Sequence, residues 1–213
     1  MDADYQKNIE KSFKNIKLAS LLIIIEMILL IVFTIFIMYI VISIMLIAIS
    51  KNIVPGTIDN FILQSITSNS YLIFILGAFY ICSVGFSVYA IYLFSKSISL
   101  LSSFNKSLKE PAKFSKYLYL IILIIDASEG FYIALELNSL TNISVSIVFT
   151  VIGIGVFLLF LYLFIGIYRI GVIYNNSSIR MGAIFYFIPF LDIVAPFLLY
   201  SGSKKLLVTY KDK

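Results

Sequence analysis

Residues 185–202, FYFIPFLDIVAPFLLYSG, put Pro189, Pro196 and Asp192 inside chain that is otherwise apolar enough to enter a lipid bilayer. Read as one helix, the stretch crosses the membrane with a break in it. Read as two half-helices, it enters and leaves on one side. The choice fixes the side of the basic tail at 201–213 and the depth of Asp192. As a helix the segment 179–200 reaches about 33 Å, enough for hydrocarbon of about 30 Å, whereas each hairpin arm of about ten residues reaches only mid-bilayer. Length favours a proline-broken span. In such a span Pro189 and Pro196 share nearly one face, and each removes the helical donor for the carbonyl four residues back, those of Phe185 and Asp192. Those oxygens then need a neighbouring helix, a serine, water or a cation.

Working outward, the 213 residues are 61% hydrophobic and 13% charged, with a mean hydropathy of +1.05, against roughly 45–50% apolar and about 25% charged in soluble domains. No soluble core of this length needs so much apolar surface. Apolar runs at 18–50, 71–94, 117–137, 143–168 and 179–200 each meet the length of about 20 residues that a spanning helix requires. Backbone groups cannot stay unpaired in lipid, and nothing alternates with period two at strand length, so the runs are helices rather than barrel strands. The expected architecture is an all-α, polytopic integral membrane bundle of about five segments, one membrane domain over 1–213. The last segment is Pro-broken or a re-entrant hairpin.

Before the first run, Tyr5, Ile9, Phe13 and Ile16 fall on one helical face with lysines elsewhere, so 1–17 reads as an amphipathic, cytoplasmic lead-in. After the first run, Pro55 and Gly56 make a turn, and Thr57 or Asp59 can cap a short surface helix. Between the second and third runs, Ile98, Leu101, Phe104 or Asn105, and Leu108 form a stripe among lysines, ended by Pro111. Such a basic amphipathic piece suits the headgroup layer of anionic lipids.

Loop lysines and arginines mark the cytoplasmic side. With the N-terminus inside, that side collects Lys7, Lys11, Lys14, Lys17, Lys96, Lys106, Lys109, Lys113, Lys116, Arg169 and Arg180, against Lys51 opposite. Lys204, Lys205, Lys211 and Lys213 join the inner side only if 179–200 is a hairpin, so charge favours the hairpin. The net charge of +5 is assigned to the bilayer and its anionic headgroups, not to nucleic acid.

The third run, YLYLIILIIDASEGFYIALEL, carries Asp126, Glu129 and Glu136 on one broad helical face. Ionised carboxylates facing lipid cost from about 2.5 kcal/mol upward, so this face is expected to point into the bundle or a wet cavity. No basic residue lies at that depth, which favours protonated acids. With Asp192 they form a candidate proton or ion pathway. Neutral acids joining helices, or meeting a partner subunit, are the alternatives. Glu26 and Arg169 match in depth and form a candidate structural pair. Gly77, Gly85, Gly153, Gly155 and Gly166 suggest close helix approach. Cys82, the one cysteine, reads as a small packed residue.

DASEGFYIA resembles the opening of the CDP-alcohol phosphotransferase motif only faintly: the second acid is Glu129 and the later acids are missing. The chain has no histidine, and it shows no phosphate loop or dinucleotide fingerprint. No enzymatic activity, cofactor or metal is expected. Arg169, Gly171, Tyr174, Asn175, Asn176, Gly182, Pro189, Asp192 and Pro196, within YRIGVIYNNSSIRMGAIFYFIPFLDIVAPFLLYSG, carry a resemblance to an uncharacterised family of archaeal multi-pass membrane proteins, a domain-of-unknown-function group. The resemblance implies an archaeal cell membrane and no established activity. The residues themselves suggest a small proton- or cation-coupled transporter or channel-like protein, since transporters use interrupted helices at the midplane. The alternative is a non-catalytic structural or assembly subunit of a membrane complex, with a homo-oligomer possible.

Overall fold

A computed structural model of the chain describes residues 3–51, 53, 57–125 and 143–211, and among them it is helical with no strand. Helix α1, Ala3–Ser50, runs unbroken for 48 residues, about 72 Å at 1.5 Å per residue. It contains neither proline nor glycine, and its hydroxyls bond back into it, Ser20 to the Ile16 carbonyl and Thr34 to that of Leu30, both at 2.8 Å. The lead-in and the first apolar run are therefore one rod. Helix α2, Ile58–Thr67, is the short helix that the sequence led one to expect here, although Thr57 at its start makes no side-chain capping bond. Helix α3, Ser70–Ser102, outlasts the apolar run at 71–94.

Asn105 then restarts the chain. Its Oδ1 accepts from Ser107 N at 2.9 Å and from Ser107 Oγ at 2.7 Å, capping a 3-10 turn at Lys106–Leu108. Helix α4, Lys109–Ser115, follows, with Pro111 in its first turn, where a missing N–H costs nothing. Pro111 thus opens a helix, where the sequence suggested that it ends one. Helix α5 is described over 118–125. Helix α6, Ile143–Ile173, precedes α7, Ser177–Phe185, and α8, Ala195–Lys211.

Among the described residues, three helical stretches are long and apolar enough to cross a membrane: Asp4–Ser50, Ser70–Ser102 and Ile154–Ile173. The expectation of an all-α chain holds, and among the described residues three helices are candidate spans. Asp126, Glu129 and Glu136 lie outside the described residues.

The chain divides into two compact units, Met1–Ile24 with Phe86–Lys213, and Ile25–Gly85. The larger unit has a closed core. Ile9, Phe13 and Ile16 of α1, Ile98 of α3, Leu108, Leu163 and Ile167 of α6, Ile179 of α7 and Leu199 of α8 are all fully buried. The stripe expected to lie on lipid headgroups instead faces protein, because Ile98, Leu101 and Leu108 are core residues, and only Phe104 of that set is exposed. Serines tie these helices together. Ser12 Oγ donates to the Ser97 carbonyl at 3.1 Å while Ser97 Oγ reaches that of Ser12 at 3.1 Å, and Ser95 Oγ donates to the Ser115 carbonyl at 2.8 Å. In the smaller unit Phe33 stacks on Phe79 with centroids 3.8 Å apart.

The segment 179–200 is not one helix. Helix α7 stops at Phe185, residues 186–194 form successive turns, and α8 begins at Ala195. The arms pack against each other: a Cβ on Gly182 would stand 2.8 Å from Leu199, and one on Gly202 would stand 2.8 Å from Ile179, so they run antiparallel. Pro189 lies in the turns, and Pro196 is the second residue of α8, where proline is tolerated. The two prolines therefore end one helix and start another, and do not share a face. The Phe185 carbonyl, which Pro189 deprives of a helical donor, accepts from Ile188 N at 3.1 Å. The tail at 201–213 is helical through Lys211.

Candidate functional site

Gly171, Asn175, Asn176 and Gly202 gather where α6, α7 and α8 meet. Helix α6 ends on Asn175 in the left-handed region, φ 47. Asn176 N donates to the Gly171 carbonyl at 2.8 Å, and Asn175 N to that of Val172 at 3.1 Å, the paired bonds of a Schellman stop. The same Asn176 starts α7, its Oδ1 accepting from Ile179 N at 3.0 Å, as an N-cap does. Its Nδ2 donates to the Gly202 carbonyl of α8 at 3.0 Å, and the residue is buried. One side chain thus sets a helix end, a helix start and the register of a third helix. Gly171 and Gly202 leave room for it: a Cβ on Gly171 would stand 2.8 Å from Arg180 N, and one on Gly202 2.8 Å from Asn176 Oδ1.

Beside this junction the two ends of the chain meet. The Phe13 ring lies edge-on to Tyr174 at 4.9 Å and tilted against Tyr210 at 5.9 Å, and Tyr5 meets Phe104 at 4.9 Å. Burial, then the hydrogen bond with Tyr5, holds the Tyr174 phenol well above its usual range. Burial also raises that of Tyr210, with the Tyr5 phenol adding to it. Tyr174 and Tyr210 therefore stay neutral and act as packing.

The turns between α7 and α8 form a tip beside α6. Tyr186 stacks on Phe164 at 4.2 Å, and Phe187 meets Phe157 edge-on at 6.4 Å. Phe190, Ile188, Ile193 and Val194 are exposed, Phe190 by 86%. Asp192 is exposed in this tip, and its Oδ1 accepts from Ile193 N at 2.9 Å. Its carboxylate lines none of the described depressions in the surface.

Glu26 Oε1 accepts from Ser83 Oγ at 2.8 Å within the smaller unit. Arg169, in the larger unit, donates from Nη1 to the Ser107 carbonyl. Gly166 is a close-approach glycine, its Cβ position 2.5 Å from Ile98 Cδ1, but Gly77, Gly85 and Gly155 face open space. Cys82 is exposed, not packed as the sequence suggested. Among the described residues no cluster of acids and cysteine could hold a metal ion. The serine bonds between α1, α3 and α4 escaped the sequence reading, since a serine in an apolar helix gives no sign of which neighbour it meets.

Residues 10–212 match the sequence model of a protein family described as "Protein of unknown function (DUF973)". No curated protein matches the chain, and no solved structure does.

Proposed function

Since the chain belongs to DUF973, a family of proteins of unknown function, we propose that it is a multi-pass membrane protein with both ends in the cytoplasm, acting as a non-catalytic assembly subunit. The observation that carries this reading is the junction of the chain ends, Phe13 against Tyr174 and Tyr210. Side chains that touch share one depth, so Phe13, Tyr174 and Tyr210 stand at the same side of a bilayer. The chain leaves the larger unit through α1 and returns to it through α3, and α6 is a further candidate span. Four crossings satisfy that parity, 117–137 being the remaining apolar stretch by sequence. Every lysine and arginine but Lys51 then falls on the side of the chain ends, the bias of a cytoplasmic face.

The α7–α8 hairpin becomes re-entrant. Phe164 and Phe157, which flank its tip, precede Tyr174 by about 15 and 25 Å along α6 at 1.5 Å per residue, so the exposed apolar tip reaches lipid depth. The assembly role is supported by apolar faces that the chain leaves uncovered, such as Ile31, Ile35 and Met38 of α1. These suit lipid, a second copy or another membrane subunit, in the archaeal cell membrane that the family resemblance implies. The carrier alternative rests on Asp126, Glu129 and Glu136, outside the described residues.

Topology is tested with Asp4→Cys, Lys51→Cys and Thr209→Cys, each in a Cys82→Ser background, labelled with an impermeant maleimide. Asp4→Cys and Thr209→Cys are expected to label from one face and Lys51→Cys from the other. Labelling of Asp4→Cys and Thr209→Cys from opposite faces overturns the reading. In proteoliposomes, a proton or cation flux abolished by Asp126→Asn gives the role to a carrier instead.

A further inference from the structure

In the larger unit, a cleft of about 470 Å³ lies between the start of α1 and α8, lined by Lys14, Lys17, Leu18, Leu21, Lys204, Leu207 and Val208. The lining alternates with helical spacing. On α1, Lys14, Lys17, Leu18 and Leu21 stand at i, i+3, i+4 and i+7; on α8, Lys204, Leu207 and Val208 stand at i, i+3 and i+4. Each helix brings both lysine and leucine to the cleft, and α8 adds valine. Leu18 and Leu21 stay exposed although they are apolar, as does Val208. A second depression of about 480 Å³, lined by Tyr200, Ser201, Lys204, Lys205, Val208 and Thr209, shares Lys204 and Val208 with it.

Glu10 pairs with Lys14 at 2.8 Å. Lys17 stands over the Tyr200 ring, 5.4 Å from its centroid, which holds its ammonium at the seam between the helices. Past Leu21, α1 continues as Leu22, Ile23, Ile24 and Ile25 into its long apolar stretch. A ligand that satisfies both parts of this cleft has an anionic head for Lys17 and Lys204 and an aliphatic tail to lie over Leu18 and Leu21. A free phosphate leaves Leu18, Leu21 and Val208 uncovered, and an uncharged tail leaves the lysines unmatched.

We propose that the α1–α8 cleft is a binding site for an anionic phospholipid, its phosphate held by Lys17 and Lys204, with Lys14 and Lys205 adding to the field. Its acyl chain follows α1 toward the bilayer. The proposal rests on the reading that the basic end of the molecule lies at the membrane surface. The site takes one lipid out of the bulk headgroup layer and uses it to join the first helix of the chain to the last.

The test uses the full chain purified in a neutral detergent, with fluorescent phosphatidylglycerol as the probe and anisotropy as the readout. Wild type is expected to bind one lipid saturably. The Lys17→Gln/Lys204→Gln variant is expected to bind about thirtyfold more weakly, at roughly fivefold for each lysine near a charged surface. Lys109→Gln/Lys113→Gln removes equal charge at exposed positions away from the cleft and is expected to bind as wild type. Lys17→Arg/Lys204→Arg is expected to retain binding, which separates loss of charge from loss of fold.

Equal weakening in the two glutamine variants overturns the proposal, because it makes the attraction one of net charge. Equal affinity for phosphatidylcholine overturns it in favour of a merely greasy groove. Full displacement by inorganic phosphate identifies a free-anion site, and displacement by poly-glutamate an acidic protein partner, and either overturns it. Binding in micelles has no sidedness. Failure of the topology therefore appears only in the maleimide labelling, and failure of the lipid site only in the anisotropy.

Discussion

Asn176 uses all of its side chain's local geometry: the amide oxygen caps α7 and the amide nitrogen holds the Gly202 carbonyl, while its backbone N–H closes α6. Alanine at 176 removes the cap and leaves the carbonyl it satisfied without that donor, a loss of about 2–3 kcal/mol in unfolding free energy. Gly202→Ala forces a methyl to 2.8 Å from Asn176 Oδ1 and Ile179 Cγ1, and overpacking of this kind costs about 1–3 kcal/mol. Gly77→Ala is the control: nothing stands within 4 Å of its Cβ position, and alanine is the better helix former by about 1 kcal/mol. Denaturant unfolding in detergent, followed by circular dichroism, is expected to rank Asn176→Ala and Gly202→Ala below wild type and Gly77→Ala level with it or above. The sequence marked Asn176 and its neighbours as unusual without saying why. A cap and a stop written into one Tyr-Asn-Asn-Ser stretch are visible in residue types, but the bond to Gly202 depends on a partner 26 positions away.

At the scale of elements, hydropathy marked the apolar runs, and the helices that contain them are longer. Both α1 and α3 run past the apolar stretches into lysine- and serine-bearing chain, because no proline or glycine stops them and their polar residues either bond back to the helix or reach a neighbour. The prolines of the last segment predicted a break, yet length alone could not tell a kink from a turn. What decides it is the second packing surface: Gly182 against Leu199 and Gly202 against Ile179 give α7 and α8 each other as partners. The turn has its own cost. Phe190 sits at φ 68 with its ring 86% exposed, and a side chain in the left-handed region costs about 1–2 kcal/mol. Phe190→Gly removes that strain with little contact to lose, so the melting temperature in micelles is expected to stay level or rise. Phe190→Ala keeps the strain and is expected to give no gain. A clear fall for Phe190→Gly, larger than for Phe190→Ala, means that the ring packs in the folded protein and the turn is not strained.

For the whole molecule, the sequence left one question open that no local signal could close, the side on which the chain ends. Counting charges favoured the hairpin and counting residues favoured a fifth span, and both counts ignore which helices touch. The contact of Phe13 with Tyr210 joins positions near opposite ends of the chain, so it was invisible to any window along the sequence. It also makes a prediction about cooperativity. Leu199 and Leu206 of α8 are buried in the same core as Ile9, Phe13 and Ile16 of α1, and Ser203 is buried beside them. A chain ending at Val194 keeps every long apolar helix but takes these side chains out of the core. The exposed face of α1 already presents Lys11 and Lys14 to solvent, and what protects the bonds beside them from trypsin is the helix being held down. Without α8 that segment opens locally, and cleavage rates follow the free energy of opening, about tenfold for each 1.4 kcal/mol lost. Limited proteolysis in detergent is therefore expected to cut after Lys11 or Lys14 at least about tenfold faster in the truncated chain than in the full one. Equal rates would make α8 an appendage that α1 does not need, and the meeting of the two chain ends would then carry no weight in the topology.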